Sequence, residues 1–216
     1  MIALIWDMDG VLVDSGQAHY EAWKRLFDEL GRPITPEQVA ESLGMSNEPL
    51  LRRWLGEDTP RDEIDALADR KEAWFRDLVA THMQVLPGVT PWLARARERG
   101  YRQAVASSAP MANIVAIVEA LGLADAFDLL ISGTRLPRSK PDPAIFVQAA
   151  AGLGATPSES VVLEDAVVGV EAALAAGMRC IAVTNTRSAA DLAAATRVVA
   201  SLKELEPDAI ERLLRG

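Results

Sequence analysis

The chain has 216 residues, half of them hydrophobic and a quarter charged, so it is long enough for one large globular domain or a domain carrying a sizeable insertion. Its net charge of −9 argues against nucleic acid as a partner, because phosphate-backbone binding needs clustered Lys and Arg. The single cysteine excludes an internal disulfide, and Cys180, just before Ile181, Ala182 and Val183, reads as a buried strand residue rather than a nucleophile.

Residues 2–6 form a short apolar run that stops at Asp7-Met8-Asp9-Gly10. Such a run, bounded by a turn signal, predicts a buried parallel strand. Two carboxylates just past it fall at the sheet edge where open α/β sheets bind ligands, and Gly10 supplies a sharp bend. The competing reading of this tetrapeptide is a solvated acidic turn.

From residue 16 to about residue 86 the pattern is helical, with no convincing strand. Trp23, Leu26, Phe27 and Leu30 recur at helical spacing, and Gly31 is placed to end that helix. Pro36-Glu37-Gln38 opens a second helix, residues 45–55 a third and residues 60–80 a fourth, the last with Ile64, Leu67, Ala68, Lys71 and Phe75 along its sides. This predicts a bundle of about four helices.

Pro87-Gly88 ends that texture. A helix over 91–99, stopped by Gly100, leads to a strand over 103–106 that ends in Ser107-Ser108. A helix over 112–121, stopped by Gly122, precedes a strand over 129–131 and then Ser139-Lys140-Pro141. Asp142 caps the next helix, with Pro143 in its first turn. A strand over 161–163 runs into Glu164-Asp165, followed by a helix to Gly177, a strand over 180–183 and a last strand–helix pair. The alanine-rich stretch 189–195 is predicted as a small, closely packed helix. Alternating strands and helices imply right-handed crossovers and a parallel sheet covered on both faces. The expected fold is therefore α/β: a Rossmann-like parallel sheet core of residues 1–15 and 87–216, with a helical cap domain of residues 16–86 inserted after the first strand.

Four polar clusters fall where loops should meet one sheet edge: Asp7/Asp9, Ser107, Lys140 and Glu164/Asp165. Loops at the C-terminal ends of parallel strands converge in space. The inventory is a carboxylate nucleophile, a second carboxyl, a hydroxyl, an ammonium and two more carboxylates, which suits phosphoryl transfer through an aspartyl-phosphate. The oxygen ligands suit Mg²⁺, which keeps waters and also takes a substrate phosphate oxygen. Each cluster has a plain structural reading: Lys140 as a surface loop residue, Ser107 as a helix cap, Glu164-Asp165 as a solvated first helical turn. All of them must be plain at once for the convergence to be accidental.

DMDGV at 7–11, Ser107 after a strand, Lys140 in SKPDP, the acidic pair in LEDAVVGVEAALAAGM and LPGV at 86–89 resemble the motifs of the haloacid dehalogenase superfamily. The similarity is to the subgroup with a helical cap after the first strand, and within it to the beta-phosphoglucomutase and sugar-phosphate phosphatase branch. The resemblance implies that Asp7 is the nucleophile and Asp9 the acid and base. It implies that Ser107 bonds the phosphoryl oxygens, beside Ser108 and Ala109, and that Lys140 offsets developing charge. Asp7, Glu164, Asp165 and the main-chain carbonyl of Asp9 are the implied Mg²⁺ ligands. In the cap, His19 and Trp23 lie four apart on one helical face. HYEAWK and Lys71 match cap positions of the mutase, so His19 and Lys71 are candidate substrate-binding residues, with His19 assisting proton transfer on closure and Trp23 read as cap core. Asn47 stands where the mutase carries an arginine for a remote second phosphate, and Arg52 or Arg53 is a candidate replacement. Ala166 replaces a serine, and Ala109-Pro110 a serine–lysine pair, found in relatives.

The function implied is a Mg²⁺-dependent phosphatase acting on a small phosphomonoester such as a sugar phosphate, a polyol phosphate or a phosphoglycolate-like acid. The alternatives are a beta-phosphoglucomutase-type sugar phosphate mutase and a catalytically silent binding or regulatory module. Hydrolytic dehalogenases and phosphonate-cleaving relatives lack a carboxyl two residues after the nucleophile, and a phosphorylation-accepting receiver domain is about half this length. With no basic apolar leader and no apolar run near the ~18 residues of a membrane span, the expectation is a cytoplasmic protein, monomer or weak homodimer, whose partner is a small phosphorylated metabolite, with no nucleic acid and no membrane.

Overall fold

The structure is a computed structural model that describes residues 1–42 and 45–215. Its elements in chain order are β1 (Ala3–Trp6), β2 (Val13–Asp14), α1 (Gly16–Glu29), α2 (Pro36–Ser42), α3 (Asn47–Leu55), α4 (Arg61–His82) and β3 (Gln84–Val85). They continue with α5 (Val89–Glu98), β4 (Arg102–Ser107), α6 (Met111–Ala120), β5 (Leu129–Ser132) and α7 (Ala144–Leu153). The last are β6 (Ser160–Glu164), α8 (Val167–Ala175), β7 (Arg179–Val183), β8 (Arg197–Val199) and α9 (Ala209–Arg215). Among the described residues no helix is long and apolar enough to cross a membrane.

Six strands form one sheet in the order β5-β4-β1-β6-β7-β8, and every neighbouring pair is parallel. The fold is α/β, with β1 at the centre. The chain leaves β1 toward β4 and β5 on one side and later returns to β6 on the other. That reversal is a topological switch point, where open parallel sheets leave a crevice beyond their C-terminal edge. Trp6 pairs with Val105 on one side and Leu163 on the other, so Asp7, Ser107 and Glu164 emerge at the same edge.

The two-residue period of the strands divides the interior. Leu4 and Trp6 face one layer with Val105, Val161, Leu163 and Ile181, while Ala3 and Ile5 face another with Ala104, Val162, Cys180 and Ala182. Both layers are apolar, which is why these strands read as continuous hydrophobic runs. The Asp142 carboxylate accepts a hydrogen bond at 3.0 Å from the main-chain N–H of Ala144, the first residue of α7, although Pro143 rather than Asp142 holds the cap position.

Helices α1 to α4 carry a core of their own, built from Trp23, Leu26, Phe27, Leu51, Ile64 and Leu67. The inner ends of α1 and α4 leave it: Ala18, Ala22, Phe75 and Val79 pack into the layer that includes Trp6. At the two crossings between this segment and the sheet, β2 and β3 pair antiparallel, Val13 with Val85 and Asp14 with Gln84. No strand is expected from the sequence in this region, because two residues are too few to show a period.

One expectation fails. Residues 189–195 form turns rather than a packed helix, and of them only Leu192 is buried. Ser188 and Asp191 bond each other through side chain and main chain, with Ser188 Oγ donating to Asp191 Oδ2 at 2.6 Å, a local arrangement that competes with helix.

Candidate active site

Asp7 follows β1, buried, with its main-chain N–H donating to Leu163 O at 3.0 Å. The chain then turns sharply, since Gly10 N donates to Val13 O at 2.8 Å and Gly10 has φ +79°. A side chain at Gly10 would collide with the Asp165 carboxylate, so the close approach as well as the backbone angle requires glycine.

Lys140 reaches this edge from the loop before α7. Its Nζ lies 2.5 Å from Asp7 Oδ1 and 2.5 Å from Glu164 Oε1, with the ammonium side chain 3% exposed. The other Glu164 oxygen accepts from Asp165 N at 2.8 Å and Ala166 N at 2.9 Å. The Glu164 carboxylate presses on Gly169, where a Cβ would overlap it. Ligand atoms of Asp7, Glu164 and Asp165 lie within 4.8 Å of one another. Burial raises the Asp7 carboxyl to about 8; Lys140 pulls it down, and Glu164 adds to the rise. Asp165 is pushed well above the usual carboxylate range, first by burial and then by Glu164 and Asp7. Lys140 is raised: burial opposes its charge, but Asp7 and Glu164 outweigh it. Three buried carboxylates thus share one ammonium. The surplus negative charge and the all-oxygen donor set fit a hard divalent cation.

The Asp9 carboxylate stands apart from this cluster. It accepts from Ser15 Oγ at 2.5 Å and meets His19 Nε2 at 3.3 Å. Burial alone would raise it, yet the His19 and Ser15 bonds and the Lys71 charge hold it below the usual range. The resemblance implies a metal role for the Asp9 main-chain carbonyl alone, and its side chain points to Ser15 and His19.

Across from the sheet edge, a run of polar contacts continues through the helices. Lys71 Nζ lies 2.9 Å from His19 Nδ1 and 2.8 Å from Glu72 Oε1, and Asn47 Nδ2 donates to the same Glu72 oxygen at 2.7 Å. His19 stacks on Phe75 with centroids 4.2 Å apart. Trp23 sits in the helical core, edge-on to Trp54, as read from its spacing. Arg52 is no replacement for a remote anion grip, because it bonds the Glu57 and Thr59 carbonyls and the Glu48 carboxylate.

Between the helices and the sheet lies a cavity of about 830 Å³. Asp7, Asp9, His19, Asn47, Lys71 and Lys140 line it, as do Ser107, Ser108 and Ala109. Ser107 Oγ also accepts from Ala109 N at 3.1 Å within the loop, and Ser107 is not a helix cap, because α6 starts at Met111 with Pro110 in the cap position. Glu164 and Asp165 stand behind Asp7.

Four supporting residues escape the sequence reading. Thr186 Oγ1 donates to the Asp165 carboxylate, and Asn185 Nδ2 donates to Gly10 O at 2.8 Å. Both follow β7 at the C-terminal sheet edge, so the positional signal used for the other loops points to them as well. Glu72 and Asn113, both buried, carry no such signal, because each lies within a helix.

Residues 1–177 match the family model described as haloacid dehalogenase-like hydrolase. The chain is 32% identical over 190 residues to Beta-phosphoglucomutase of Bacillus subtilis, covering 85% of this chain and 83% of that one. It is 33% identical over 188 residues to Hexitol phosphatase B of Escherichia coli, again covering 85% and 83%. The solved beta-phosphoglucomutase from Clostridium difficile superposes with a TM-score of 0.89 at 27% identity, covering 100% of this chain and 98% of that one. With the parallel sheet, the buried lysine between Asp7 and Glu164, and a family model spanning most of its length, this chain belongs to the haloacid dehalogenase-like hydrolases.

Proposed function

We propose that this protein is a Mg²⁺-dependent phosphatase of small phosphomonoesters that works through an aspartyl-phosphate at Asp7. The observation that carries the reading is the separation of two carboxylates only two residues apart. Asp7 is bonded to Lys140 among buried acids, whereas Asp9 is bonded to Ser15 and His19 on the side of the helices. The division gives a nucleophile and a separate proton-transfer group. Mg²⁺ beside Asp7 would offset the burial that raises its carboxyl and keep it ionised. Asp9, held ionised by His19 and Ser15 in the protein alone, takes up a proton as the phosphomonoester binds.

An Asp7 oxygen attacks phosphorus and the bond to the ester oxygen breaks, while Asp9 delivers a proton to that leaving oxygen. Asp9, now ionised, takes a proton from water as the water oxygen attacks the acyl phosphate. Phosphate departs and the Asp7 carboxylate is restored. Lys140 offsets charge on Asp7 and the phosphoryl group, and Ser107 bonds a phosphoryl oxygen. Mg²⁺ held by Asp7, Glu164, Asp165 and the Asp9 carbonyl would supply further neutralisation of the phosphoryl oxygens. On this reading residues 16–86 are a cap over a core of residues 1–15 and 87–216, excluding water from the cavity.

Isomerisation of a sugar phosphate is the second reading, favoured by likeness to the mutases. It requires a bisphosphate to be held and turned over in place. Asn47 offers no charge for that purpose, and its amide is committed to Glu72, which supports hydrolysis.

The test is phosphate release from a panel of sugar phosphates, polyol phosphates and phosphoglycolate with Mg²⁺, alongside Asp7→Asn. Release abolished by that substitution is the expected result. A protein inert toward the whole panel is the silent module instead. If beta-glucose 1-phosphate with a bisphosphate primer gives glucose 6-phosphate faster than free phosphate, the mutase reading replaces this one.

A further inference from the structure

Among the described residues, every cation lining the cavity already faces a carboxylate. Lys140 is bonded to Asp7 and Glu164, and Lys71 to Glu72 at 2.8 Å. Arg61 meets Glu48 at 2.9 Å and Asp65 at 3.0 Å, and Arg138 meets Asp142 at 3.4 Å. On the helical wall Glu48, Asp65, Asp69 and Glu72 line the space against Arg61 and Lys71, four carboxylates to two cations. Glu72 is buried and keeps its charge: burial opposes ionisation, but Lys71, His19 and the Asn47 amide hold its carboxyl below the usual range. Asp9, bonded to Ser15 and His19, adds a further carboxylate, and the other polar groups of the cavity are chiefly uncharged, the Ser46, Ser108, Thr134 and Ser139 hydroxyls and the Asn47 amide.

Building on the phosphatase reading, we propose that the site accepts phosphomonoesters whose remaining portion is neutral and rich in hydroxyls, a polyol or a sugar. The helical wall rejects those that carry a second anionic group, whether carboxylate or phosphate. The sheet edge has one ammonium and a cation-fitting cluster to take up the transferred phosphate. The far end of the substrate meets a wall of surplus negative charge with no uncompensated cation to receive it. Repulsion of like charge is an effective way to discriminate, since it requires no better contact with the accepted ligand. At about 830 Å³ the cavity has room for a six-carbon chain, so size is not what excludes a bisphosphate or an acid.

Two matched substrate pairs isolate this charge: glycerol 3-phosphate against 3-phosphoglycerate, and glucitol 6-phosphate against 6-phosphogluconate. Each pair exchanges a remote CH₂OH for a carboxylate and leaves the phosphate end unchanged. The expected kcat/KM ratio in favour of the neutral member is about tenfold or more at low ionic strength, shrinking as added salt screens the repulsion. Asn47→Arg, or Glu48→Gln with Asp65→Asn to unpair Arg61, should narrow the ratio by improving turnover of the carboxylate member. Equal or better turnover of the acids by the unaltered protein overturns the proposal, and so does a preference that is indifferent to both salt and these variants. Asp7→Asn is assayed in parallel: retained activity there, or no turnover of either member by the unaltered protein, overturns the phosphatase reading itself.

Discussion

Glu72 Oε2 accepts a hydrogen bond from the Asn113 side-chain amide at 2.5 Å, which ties helix α4 to helix α6 beside the sheet. Asn113 is fully buried, and its other side-chain atom accepts from Arg76 at 2.9 Å. The remaining Glu72 oxygen receives Lys71 and Asn47, and Lys71 in turn meets the His19 ring that faces Asp9. An uninterrupted run of polar contacts therefore joins a helix of the sheet layer to the proposed acid–base residue, through two helices of the inserted segment.

Asn113→Ala breaks that run at its outer end. It leaves a Glu72 oxygen and the Arg76 guanidinium without their partner, at a cost of about 1–3 kcal/mol. Urea unfolding should register that loss, and kcat for phosphate release should fall more than KM rises. Asn113→Asp, which sets a carboxylate against Glu72, should be worse on both counts. An Asn113→Ala protein with unaltered stability and kcat would show that the contact is incidental.

Asp9→Asn removes proton transfer but keeps the size of the side chain. General acid–base assistance contributes about 10²–10⁴-fold, so steady-state turnover of an alkyl phosphate should drop within that range. With p-nitrophenyl phosphate, whose leaving group needs little protonation, rapid-mixing experiments should still show a burst of nitrophenolate followed by slow turnover. Loss of the burst would mean that Asp9 acts at the first step whatever the leaving group.

Metal binding should stabilise the fold through the Asp7, Glu164 and Asp165 cluster. Saturation to about 100 times the dissociation constant gives roughly 2.7 kcal/mol. Melting curves of the chelator-treated protein should shift upward on adding Mg²⁺, and Asp165→Ala should shift far less. Equal shifts in the two proteins would place the ion elsewhere.

The pH dependence without metal follows from the same cluster. Asp7 is raised from 3.8 to about 8 in the fold, chiefly by burial. Asp165 is raised as well, chiefly by burial. The folded state therefore holds protons that the unfolded chain releases near pH 4, and stability falls as pH rises from there through about 8. Asp9 and Glu72 are shifted the other way, so their contribution is lost only as pH falls below the ordinary carboxylate range. In chelator, the unaltered protein should melt at progressively lower temperature from pH 5 toward about 8, more steeply than Asp7→Asn. A flat profile, or a slope shared by the variant, would remove the buried carboxylates as its cause.

The strands of the six-stranded sheet and the sheet-edge groups are legible in the sequence, because their signals are local, whereas the two-residue β2 and β3 are too short to show a period. Buried runs such as residues 2–6 and 161–163 end in polar residues, and chain connectivity alone sends those ends to one edge. Alanine composition misleads at 189–195, where the Ser188–Asp191 bonds hold turns in place of helix. Thr186 and Asn185, just after β7, follow the same edge rule. Sequence by itself thus determined the order of the main sheet's strands and helices along the chain and the residues gathered around Asp7, each dictated by neighbours along the chain. Only the tertiary structure decided that Asp7 and Asp9 lie in separate surroundings, that Lys140 is lodged between Asp7 and Glu164, and that Glu72 joins Asn47, Lys71 and Asn113. Those relationships depend on burial and on contacts that in the case of Lys140, Asn47 and Asn113 span 24 to 133 positions of chain, which no local periodicity encodes.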